Sequence, residues 1–307
     1  MVLAHFVTPG PSATPVGRSL ERMNTTATPS TDLDLSPLVK VLDGRRVAVL
    51  TGAGMSTDSG IPDYRGPASP PRTPMTFQQF IGDEAFRRHY WARNHVGWRH
   101  VQRTSPNAGH LALAELERVG VVTGVVTQNV DTLHHVAGSR TLVDLHGSFD
   151  RVVCLDCGHL VSHASLAERL DAANPGFVEG IGNVADIEIA PDADAVIEST
   201  VHFRPVACER CGGTLKPDIV YFGESVPKER VARAFEIVDG ADALLVAGSS
   251  LTVHSGFRFV KHTYKAGKPV AIVNRGATRG DDLATVRLDA GTSEVLTALV
   301  GALRRTP

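Results

Sequence analysis

The chain has 307 residues, of which 42% are hydrophobic and 21% are charged. This composition is typical of a globular protein and excludes collagen, a coiled coil and a wholly disordered chain. Lys and Arg number 31 against 33 Asp and Glu, which leaves no basic excess for binding nucleic acid. No apolar run reaches the roughly 18 residues of a membrane helix, and the N-terminus lacks a basic region followed by an apolar core. We therefore predict a cytoplasmic protein without nucleic-acid or membrane partners.

The first 34 residues differ from the rest of the chain. They contain thirteen Ser, Thr or Pro residues and no Lys, and they show neither the period of a strand nor that of a helix. Such a segment buries too little apolar surface to offset the entropy of ordering it. We therefore expect residues 1–34 to be a disordered leader, with Met23 as a second candidate start.

From residue 45 onward, short β-branched runs end in Gly, Ser or Asn and are followed by helical stretches. This alternation predicts an α/β fold with a Rossmann-like parallel sheet that carries helices on both faces. Polar residues directly follow the runs, at the strand ends where ligands bind in such sheets. The predicted strands are Val47–Leu50, Val121–Thr127, Leu142–Leu145, Ala243–Ala247 and Val270–Val273.

Two stretches interrupt this alternation. Residues 66–106 are rich in Pro, aromatic residues and Arg and predict an insertion of helix and loop, whereas residues 151–213 open and close with paired cysteines. We expect both insertions to form a smaller second lobe. The Rossmann-like domain then comprises residues 35–65, 107–150 and 214–305.

All four cysteines belong to two C-x-x-C pairs, and a Gly follows each pair. The two-residue spacing lets both thiolates of a pair bind one cation. Four sulfur ligands make a closed tetrahedral site with no position for water, so we predict one structural zinc ion. Two disulfides, an iron–sulfur site and a redox pair are the alternatives. The predicted ligands are Cys154, Cys157, Cys208 and Cys211.

A glycine-rich turn, Thr51-Gly-Ala-Gly-Met-Ser-Thr-Asp-Ser-Gly60, follows the first predicted strand. Its small residues let backbone N–H groups approach a pyrophosphate, which predicts a dinucleotide ligand. The G-x-G-x-x-G signature of hydride-transfer enzymes is incomplete, because Thr57 replaces the third glycine and no second strand ends in a ribose-binding acid about twenty residues on. The alternative is that these glycines serve only close packing.

Other predicted strand ends also carry polar residues. As a set they suit a ligand with two riboses, a pyrophosphate and a base, although Asn129 or Asp131 taken singly is equally well explained as a helix cap. The residues are Gln128, Asn129 and Asp131 after one strand, Gly248, Ser249 and Ser250 after another, and Asn274 and Gly276 after a third.

One histidine is well placed for chemistry. His146 closes a short apolar strand directly before the cysteine-containing insertion, at the expected mouth of the cleft between the lobes. Near neutral pH an imidazole there can take a proton from a sugar hydroxyl. A structural histidine is the alternative, since the chain has thirteen.

Taken together, these motifs resemble those of the sirtuin family. They occur in the family's order and span roughly residues 36–303. The run Tyr90-Trp-Ala-Arg-Asn94 and the long insertion between the cysteine pairs look most like class II sirtuins. The motifs are Gly52-Ala-Gly-Met-Ser-Thr-Asp-Ser-Gly-Ile-Pro-Asp-Tyr-Arg65, Thr127-Gln-Asn-Val-Asp131, His146-Gly147, the two C-x-x-C pairs, Lys216-Pro-Asp-Ile-Val-Tyr-Phe-Gly-Glu224, Gly248-Ser-Ser250 and Val273-Asn274.

The resemblance implies NAD-dependent removal of acyl groups from protein lysine. In that reaction nicotinamide leaves, a base activates a ribose hydroxyl, and the products are nicotinamide, free lysine and O-acyl-ADP-ribose. NAD is consumed rather than reduced, which agrees with the incomplete hydride-transfer signature. The expected partners are acylated-lysine proteins; the sequence leaves the oligomeric state open.

The resemblance also implies roles for individual residues. His146 is the expected general base, and Asn129 is expected to hold the ribose and help order the reacting water. Nicotinamide-pocket residues are Ile61, Asp63 and Asp131; ribose and phosphate contacts are Gly52, Ala53, Gly54, Ser56, Arg65 and Gln128; adenosine contacts are Gly248, Ser249, Ser250, Asn274 and Gly276. Many sirtuins place a Cys near the adenine, and Thr292 stands there in this chain.

The acyl-lysine peptide is expected to add as a strand along the backbone of residues 220–224. Val220 and Phe222 would wall the lysine tunnel, with Gly223 and Glu224 beside them. An ordinary buried strand over Ile219–Phe222 is compatible with this expectation. Tyr90 and Arg93 share a helix face and resemble the pair with which desuccinylating sirtuins bind an acidic acyl group. The alternative is that Tyr90 is a core aromatic residue and Arg93 a surface or phosphate contact.

Two other functions are compatible with the motifs. The first is protein mono-ADP-ribosylation, in which an acceptor side chain takes the sugar. The second is a non-catalytic NAD-sensing module, although binding alone would not require the base His146. Hydride transfer is a more distant alternative.

Overall fold

The computed structural model describes residues 33–64, 74–181 and 200–303. The predicted leader therefore lies almost entirely outside the described residues. The strands are β1 (Val47–Thr51), β2 (Val122–Thr127), β3 (Leu142–Asp144), β4 (Gly147–Cys154), β5 (Leu160–Ser162), β6 (Leu215–Ile219), β7 (Ala243–Ala247), β8 (Val270–Val273) and β9 (Val286–Leu288). The helices are α1 (Ser36–Leu42), α2 (Phe77–Gly82), α3 (Glu84–Arg103), α4 (Ala108–Arg118), α5 (Leu133–Ala137), α6 (His163–Ala173), α7 (Phe177–Gly180), α8 (Lys228–Asp239), α9 (His254–Lys265) and α10 (Thr292–Ala302).

The larger sheet has six strands in the order β3-β2-β1-β7-β8-β9, and its neighbours pair in parallel. Leu50 at its centre lies opposite Val126 on one side and Val246 on the other. The five runs predicted from the sequence are β1, β2, β3, β7 and β8, with their ends shifted by at most one residue. The edge strand β9 was not predicted, because its three half-buried residues form too short a run.

Helices cover both faces of this sheet, as predicted. Ala48 and Leu50 pack with α8 and α9 in one apolar cluster. Val47 and Val49 point to the opposite face because side chains alternate along a strand, and they are equally buried. The chain from Leu35 onward forms one compact unit, and none of the described helices is long and apolar enough to cross a membrane.

A smaller antiparallel sheet, ordered β5-β4-β6, carries the cysteines. It extends from Gly147 to Ile219 and so exceeds the predicted insertion 151–213 at both ends. We call the apolar core that it shares with α2, α3 and α6 the aromatic core. The aromatic core contains Phe80, Tyr90, Trp91, Trp98, Phe149, Phe203 and Tyr221. Both inserted stretches thus contribute side chains to one core.

The two sheets are joined at Gly147, directly after His146. Gly147 has φ of +85°, a left-handed conformation that suits glycine. It pairs with Ile219 across β4 and β6, and a Cβ added there would overlap the carbonyl oxygen of Asp218. The close approach of these two backbone segments fixes the position of His146, the residue directly before Gly147.

We expect Gly147→Ala to destabilise the protein more than Gly120→Ala. Gly120 also has positive φ, but a Cβ there meets open space, so its substitution costs only the left-handed strain of about 1–2 kcal/mol. Gly147→Ala adds an overlap with backbone, for which overpacking costs of about 1–3 kcal/mol are typical. Urea unfolding of both variants measures the difference; equal losses would contradict the close approach.

Candidate functional site

A cavity of about 800 Å³ opens at the carboxyl ends of β1, β2, β7 and β8. The chain order of the strands reverses between β1 and β7, and such a switch point is where open α/β sheets bind ligands. The volume lies toward the upper end of the roughly 300–1,000 Å³ typical of ligand pockets. The cavity is therefore large enough for a dinucleotide and part of a second substrate.

The glycine turns after β1 and β7 contact each other at the base of the cavity. The Gly52 N–H donates to the Ala247 carbonyl at 3.2 Å, and the Gly54 N–H donates to the Gly248 carbonyl at 2.9 Å. A Cβ on Gly52 would lie 2.8 Å from the Cβ of Ser249, so the turns require glycine for packing. These glycines therefore serve close packing, and they also line the cavity.

A chain of hydrogen bonds connects the polar side chains that follow β1 and β2. Asn129 donates through Nδ2 to the Gly52 carbonyl and to the Ser56 hydroxyl, each at 3.0 Å. Ser56 in turn donates to a carboxylate oxygen of Asp131 at 2.6 Å. The other oxygen of Asp131 accepts from the N–H of Leu133, the first residue of α5, at 3.0 Å. The N-cap of α5 is Thr132, so Asp131 lies one residue before the cap position and lines the cavity.

His146 is held at both ring nitrogens. Nδ1 lies 2.9 Å from the Gln128 carbonyl oxygen, which can only accept, so Nδ1 carries a proton. Nε2 lies 2.7 Å from the Ser255 hydroxyl. In the neutral imidazole Nε2 is therefore the unprotonated nitrogen and the site of proton uptake.

Burial strongly affects two titratable groups of the cavity. It lowers the pKa of His146 to about 4, and the nearby cations Arg230 and Arg258 act in the same direction, while the Gln128 carbonyl opposes them. Burial also raises the pKa of Asp131, against the hydrogen bonds that Asp131 accepts. Burial therefore favours the neutral imidazole of His146 at physiological pH.

The segment after β6 forms a braced loop on one wall of the cavity. The Val220 N–H donates to the His146 carbonyl at 2.8 Å, and the Phe222 carbonyl accepts from the Phe77 N–H at 2.9 Å. Lys216, only 4% exposed, forms an ion pair with Glu224 at 3.1 Å and lies 5.0 Å from the centre of the Tyr221 ring. β6 itself ends at Ile219, so an ordinary strand over Ile219–Phe222 is wrong.

The four cysteine sulfurs lie within 4.8 Å of one another. Sγ of Cys154 is 3.5 Å from that of Cys211, and Sγ of Cys157 is 3.9 Å from that of Cys208. Disulfide sulfurs would be about 2.05 Å apart, and the four cysteines are free. A tetrahedron with Zn–S bonds of about 2.3 Å has edges of about 3.8 Å. The arrangement therefore fits one four-coordinate zinc ion.

Most of the predicted site residues line the cavity. They are Gly52, Ala53, Gly54, Ser56, Ile61, Asp63, Gln128, Asn129, Asp131, His146, Val220, Phe222, Gly223, Glu224, Gly248, Ser249, Ser250, Asn274 and Gly276. Arg65 lies outside the described residues. Thr292 is buried and donates to the Gly54 carbonyl at 3.3 Å, but it does not line the cavity.

Tyr90 and Arg93 also lie away from the cavity lining. Tyr90 is 2% exposed in the aromatic core, where its ring meets those of Phe80 and Tyr221 edge-on, and its hydroxyl accepts from Asn94 at 3.3 Å. Arg93 contacts His89 at 3.1 Å. These contacts favour the interpretation of Tyr90 as a core aromatic residue.

Sequence reasoning missed several residues between β7 and α9. Leu251, Thr252, Ser255 and Arg258 line the cavity, and Leu251 adopts a positive φ of 56°, unusual for a residue with a branched side chain. In the sequence, only their position just after the Gly248 turn marks these residues as candidates for the site. That position alone does not identify them, because only the fold shows that the start of α9 faces His146.

We expect one zinc ion per chain, measurable by elemental analysis. Cys154 and Cys208 belong to the aromatic core, so removing the metal with a chelator, or changing Cys154 to Ser, should lower the melting temperature and unfold the smaller sheet. Restoring zinc to the chelated protein should restore the melting temperature. A metal-free protein of unchanged stability would contradict the assignment.

We expect stability to fall as the pH drops below about 6.5. Burial lowers the pKa of His110, His146 and His163 to about 4 each, below the ordinary value of 6.5. Their contribution is therefore complete above pH 6.5 and is lost between about 6.5 and 4, at up to about 1.4 kcal/mol per pH unit for each proton taken up. Urea unfolding between pH 7.5 and 5.5 measures this slope.

The variant His163→Phe should reduce that slope, because it removes one titrating ring while keeping a flat side chain against Trp98. The matched control is His100→Gln, which changes an exposed histidine at the end of α3 and should leave the slope unchanged. A wild-type free energy of unfolding that stays flat between pH 7.5 and 5.5 would show that the buried rings do not resist protonation.

Comparison with known proteins identifies the family. Residues 52–255 match the model of the Sir2 family. A relative from Mycobacterium avium, named NAD-dependent protein deacetylase 1, is 65% identical over 88% of this chain and 96% of its own length. A relative of the same name from Streptomyces coelicolor is 52% identical over 90% of this chain and 94% of its own length.

Solved structures agree with this result. A Sir2 homologue in complex with NAD has a TM-score of 0.66 at 31% identity and covers 87% of this chain and 93% of its own. A Sir2 protein with a p53 peptide and NAD+ has a TM-score of 0.64 at 26% identity and covers 88% of this chain and 98% of its own. On these matches and on the geometry of its cavity, the chain belongs to the Sir2 family.

Proposed function

We propose that this chain removes acyl groups from protein lysines with consumption of NAD, and that His146 is its general base. The observation that carries the proposal is the pair of contacts made by His146: Nδ1 lies 2.9 Å from the Gln128 carbonyl oxygen, which fixes the proton on Nδ1 and leaves Nε2 as the basic nitrogen. The relatives that share most of the chain's length are named NAD-dependent protein deacetylases. A neutral imidazole facing the cavity is the group that this reaction requires.

The residues of the cavity fit NAD by their chemistry. Backbone N–H groups and small residues at the β1 turn suit the phosphates, and the amides of Gln128 and Asn129 suit a ribose. The turn after β7 and Asn274 after β8 then hold the adenosine half. When bound, NAD supplies the nicotinamide leaving group and the ribose that receives the acyl group.

In this proposal the chain's own residues bind and orient the ligands and accept one proton. Asn129 is held by the Gly52 carbonyl and Ser56, so its amide is fixed before any ligand arrives. Ser56 links Asn129 to Asp131. Together with Ile61 and Asp63, Asp131 forms the proposed nicotinamide pocket. His146 then takes the ribose hydroxyl proton at Nε2.

The acyl-lysine peptide binds along the loop over residues 220–224 as an added strand. The ion pair between Lys216 and Glu224 braces this loop, which supports a preformed binding edge. Phe222 is 37% exposed and meets the ring of Tyr64 edge-on at 6.1 Å, so an aromatic wall is available to the lysine chain. Acylated peptides or proteins are the substrates.

The cysteine site has a structural role in this proposal. Four sulfur ligands close the coordination sphere of zinc, so the ion has no position for water or substrate. Its function is to hold the smaller sheet together. In this sheet β4 starts directly after His146, and β6 leads into the loop over residues 220–224. Assignment to class II, from the Tyr90–Asn94 run and the long insertion, also stays a proposal.

The experiment that tests the function is nicotinamide release from NAD with and without a panel of acylated lysine peptides. We expect release that depends on an acyl peptide and yields free lysine. His146→Ala should lower deacylation by about 10²–10⁴-fold, the range of general-base catalysis. Binding of NAD, measured by calorimetry, should survive, because the substitution leaves the glycine turns and Asn129 in place.

Two outcomes would overturn the proposal. Labelled ADP-ribose appearing on a protein acceptor, without free lysine, would indicate mono-ADP-ribosylation. Binding of NAD with no turnover on any peptide would indicate a sensing module. A matched control is His100→Gln, an exposed histidine remote from the cavity lining, which should leave the rate unchanged.

A further inference from the structure

The hydroxyl of Ser255 is the hydrogen-bond partner of the nitrogen on which the proposed base takes up its proton. Ser255 is the second residue of α9, is 8% exposed and lines the cavity. Its Oγ lies 2.7 Å from Nε2 of His146. The distance is that of a well-formed hydrogen bond.

The direction of this hydrogen bond follows from the other side of the ring. The Gln128 carbonyl fixes the proton on Nδ1, so Nε2 of the neutral ring has only a lone pair and Ser255 must donate to it. After proton uptake Nε2 becomes a donor, and a hydroxyl can rotate to accept from it. Ser255 therefore satisfies Nε2 in both protonation states.

The neighbouring residue positions the other partner of the ring. Gly256 packs against the side chain of Gln128 so closely that a Cβ there would overlap the amide. Gln128 also donates through Nε2 to the Thr51 carbonyl at 3.1 Å and to Ser249 at 2.8 Å. The first turn of α9 therefore positions both hydrogen-bond partners of His146: Ser255 belongs to this turn, and Gly256 of the same turn packs against Gln128.

Because positively charged side chains surround His146, its protonated ring needs a hydrogen-bond acceptor at Nε2. Arg258 lies one turn further along α9, and Arg230 on α8 pairs with Asp218 of β6. Both arginines disfavour a positive charge on His146. Asp131, after β2, is the buried carboxylate of the same cavity, and its hydrogen bonds go to Ser56 and Leu133.

We propose that Ser255 is a positioning residue for the general base, donating to Nε2 of His146 before proton uptake and accepting from it afterwards. The inference rests on the proposed function, because it assigns Ser255 a part in the work of the base. The Ser255 hydroxyl turns its proton away from Nε2, whose one lone pair then takes the proton of the ribose hydroxyl, and Ser255 keeps its own proton throughout. Its contribution is to stabilise the imidazolium in a buried, cationic surrounding.

The first test uses the protein without NAD or peptide. Nitrogen-15 NMR follows the tautomer and the pKa of His146 in the wild type, Ser255→Ala and Ser255→Thr. We expect Ser255→Ala to lower the pKa of His146 by about one unit, because the buried imidazolium loses its acceptor, and Ser255→Thr to restore it. Ser255→Cys, with a weaker partner, should lie between them.

The second test is the deacylation rate. Loss of one hydrogen bond to a charged group predicts about a tenfold lower kcat for Ser255→Ala, with a nearly unchanged KM for NAD and recovery in Ser255→Thr. The control is Ser165→Ala, an exposed serine in the first turn of α6. Its rate and the NMR titration should match the wild type.

The two tests separate this inference from the proposed function. An unchanged or raised pKa of His146 in Ser255→Ala, or an unchanged kcat, overturns the role of Ser255 even if deacylation is confirmed. A wild type that does not deacylate any peptide overturns the proposed function, whatever the NMR shows. A Ser255→Ala protein that fails to fold is replaced by the Ser255→Cys and Ser255→Thr pair, whose difference carries the same expectation.

Discussion

The close contact between the turns after β1 and β7 is the constraint on which the rest of the site depends. Two backbones can meet at the switch point only if Gly52, Gly54 and Gly248 carry no side chains, and each lies in a contact that a Cβ would obstruct. That contact opens the cavity between the diverging strand ends. It also brings Ser249 within hydrogen-bond distance of Gln128, whose carbonyl sets the protonation of His146. A packing requirement and a binding surface thus share the same glycines.

The parallel sheet was predictable because its strands are buried on both faces. Continuous β-branched runs such as β7 and β8 have few alternative explanations in a chain of this composition, and both ends of each were predicted correctly. β9 and the antiparallel strands were not predicted. β5 is three residues long and mostly exposed, so no apolar run marks it. The bounds of the smaller sheet depend on pairing between β4 and β6, which are far apart in sequence.

The site was predictable where its residues stand together in short motifs. Asn129 and His146 each follow a predicted strand, so their position at the sheet edge follows from the strand itself. Ser255 lies several residues beyond its strand, and its contact with His146 spans 109 positions in the sequence. Tyr90 shows the opposite case, since its helical spacing to Arg93 fits a ligand pair and a core position equally well. Only the surrounding aromatic rings decide between these.

The position of His146 connects the two lobes to the chemistry. Its side chain faces α9 of the larger domain, whereas its carbonyl accepts from Val220 in the loop over residues 220–224. One residue therefore contacts both the start of α9 and the loop after β6, and the backbone crossing at Gly147 holds it there. The cysteine site is linked to the same point, because β4 and β6 extend from the cysteines to this crossing. Movement of the smaller sheet would therefore displace the loop over residues 220–224 and His146 together.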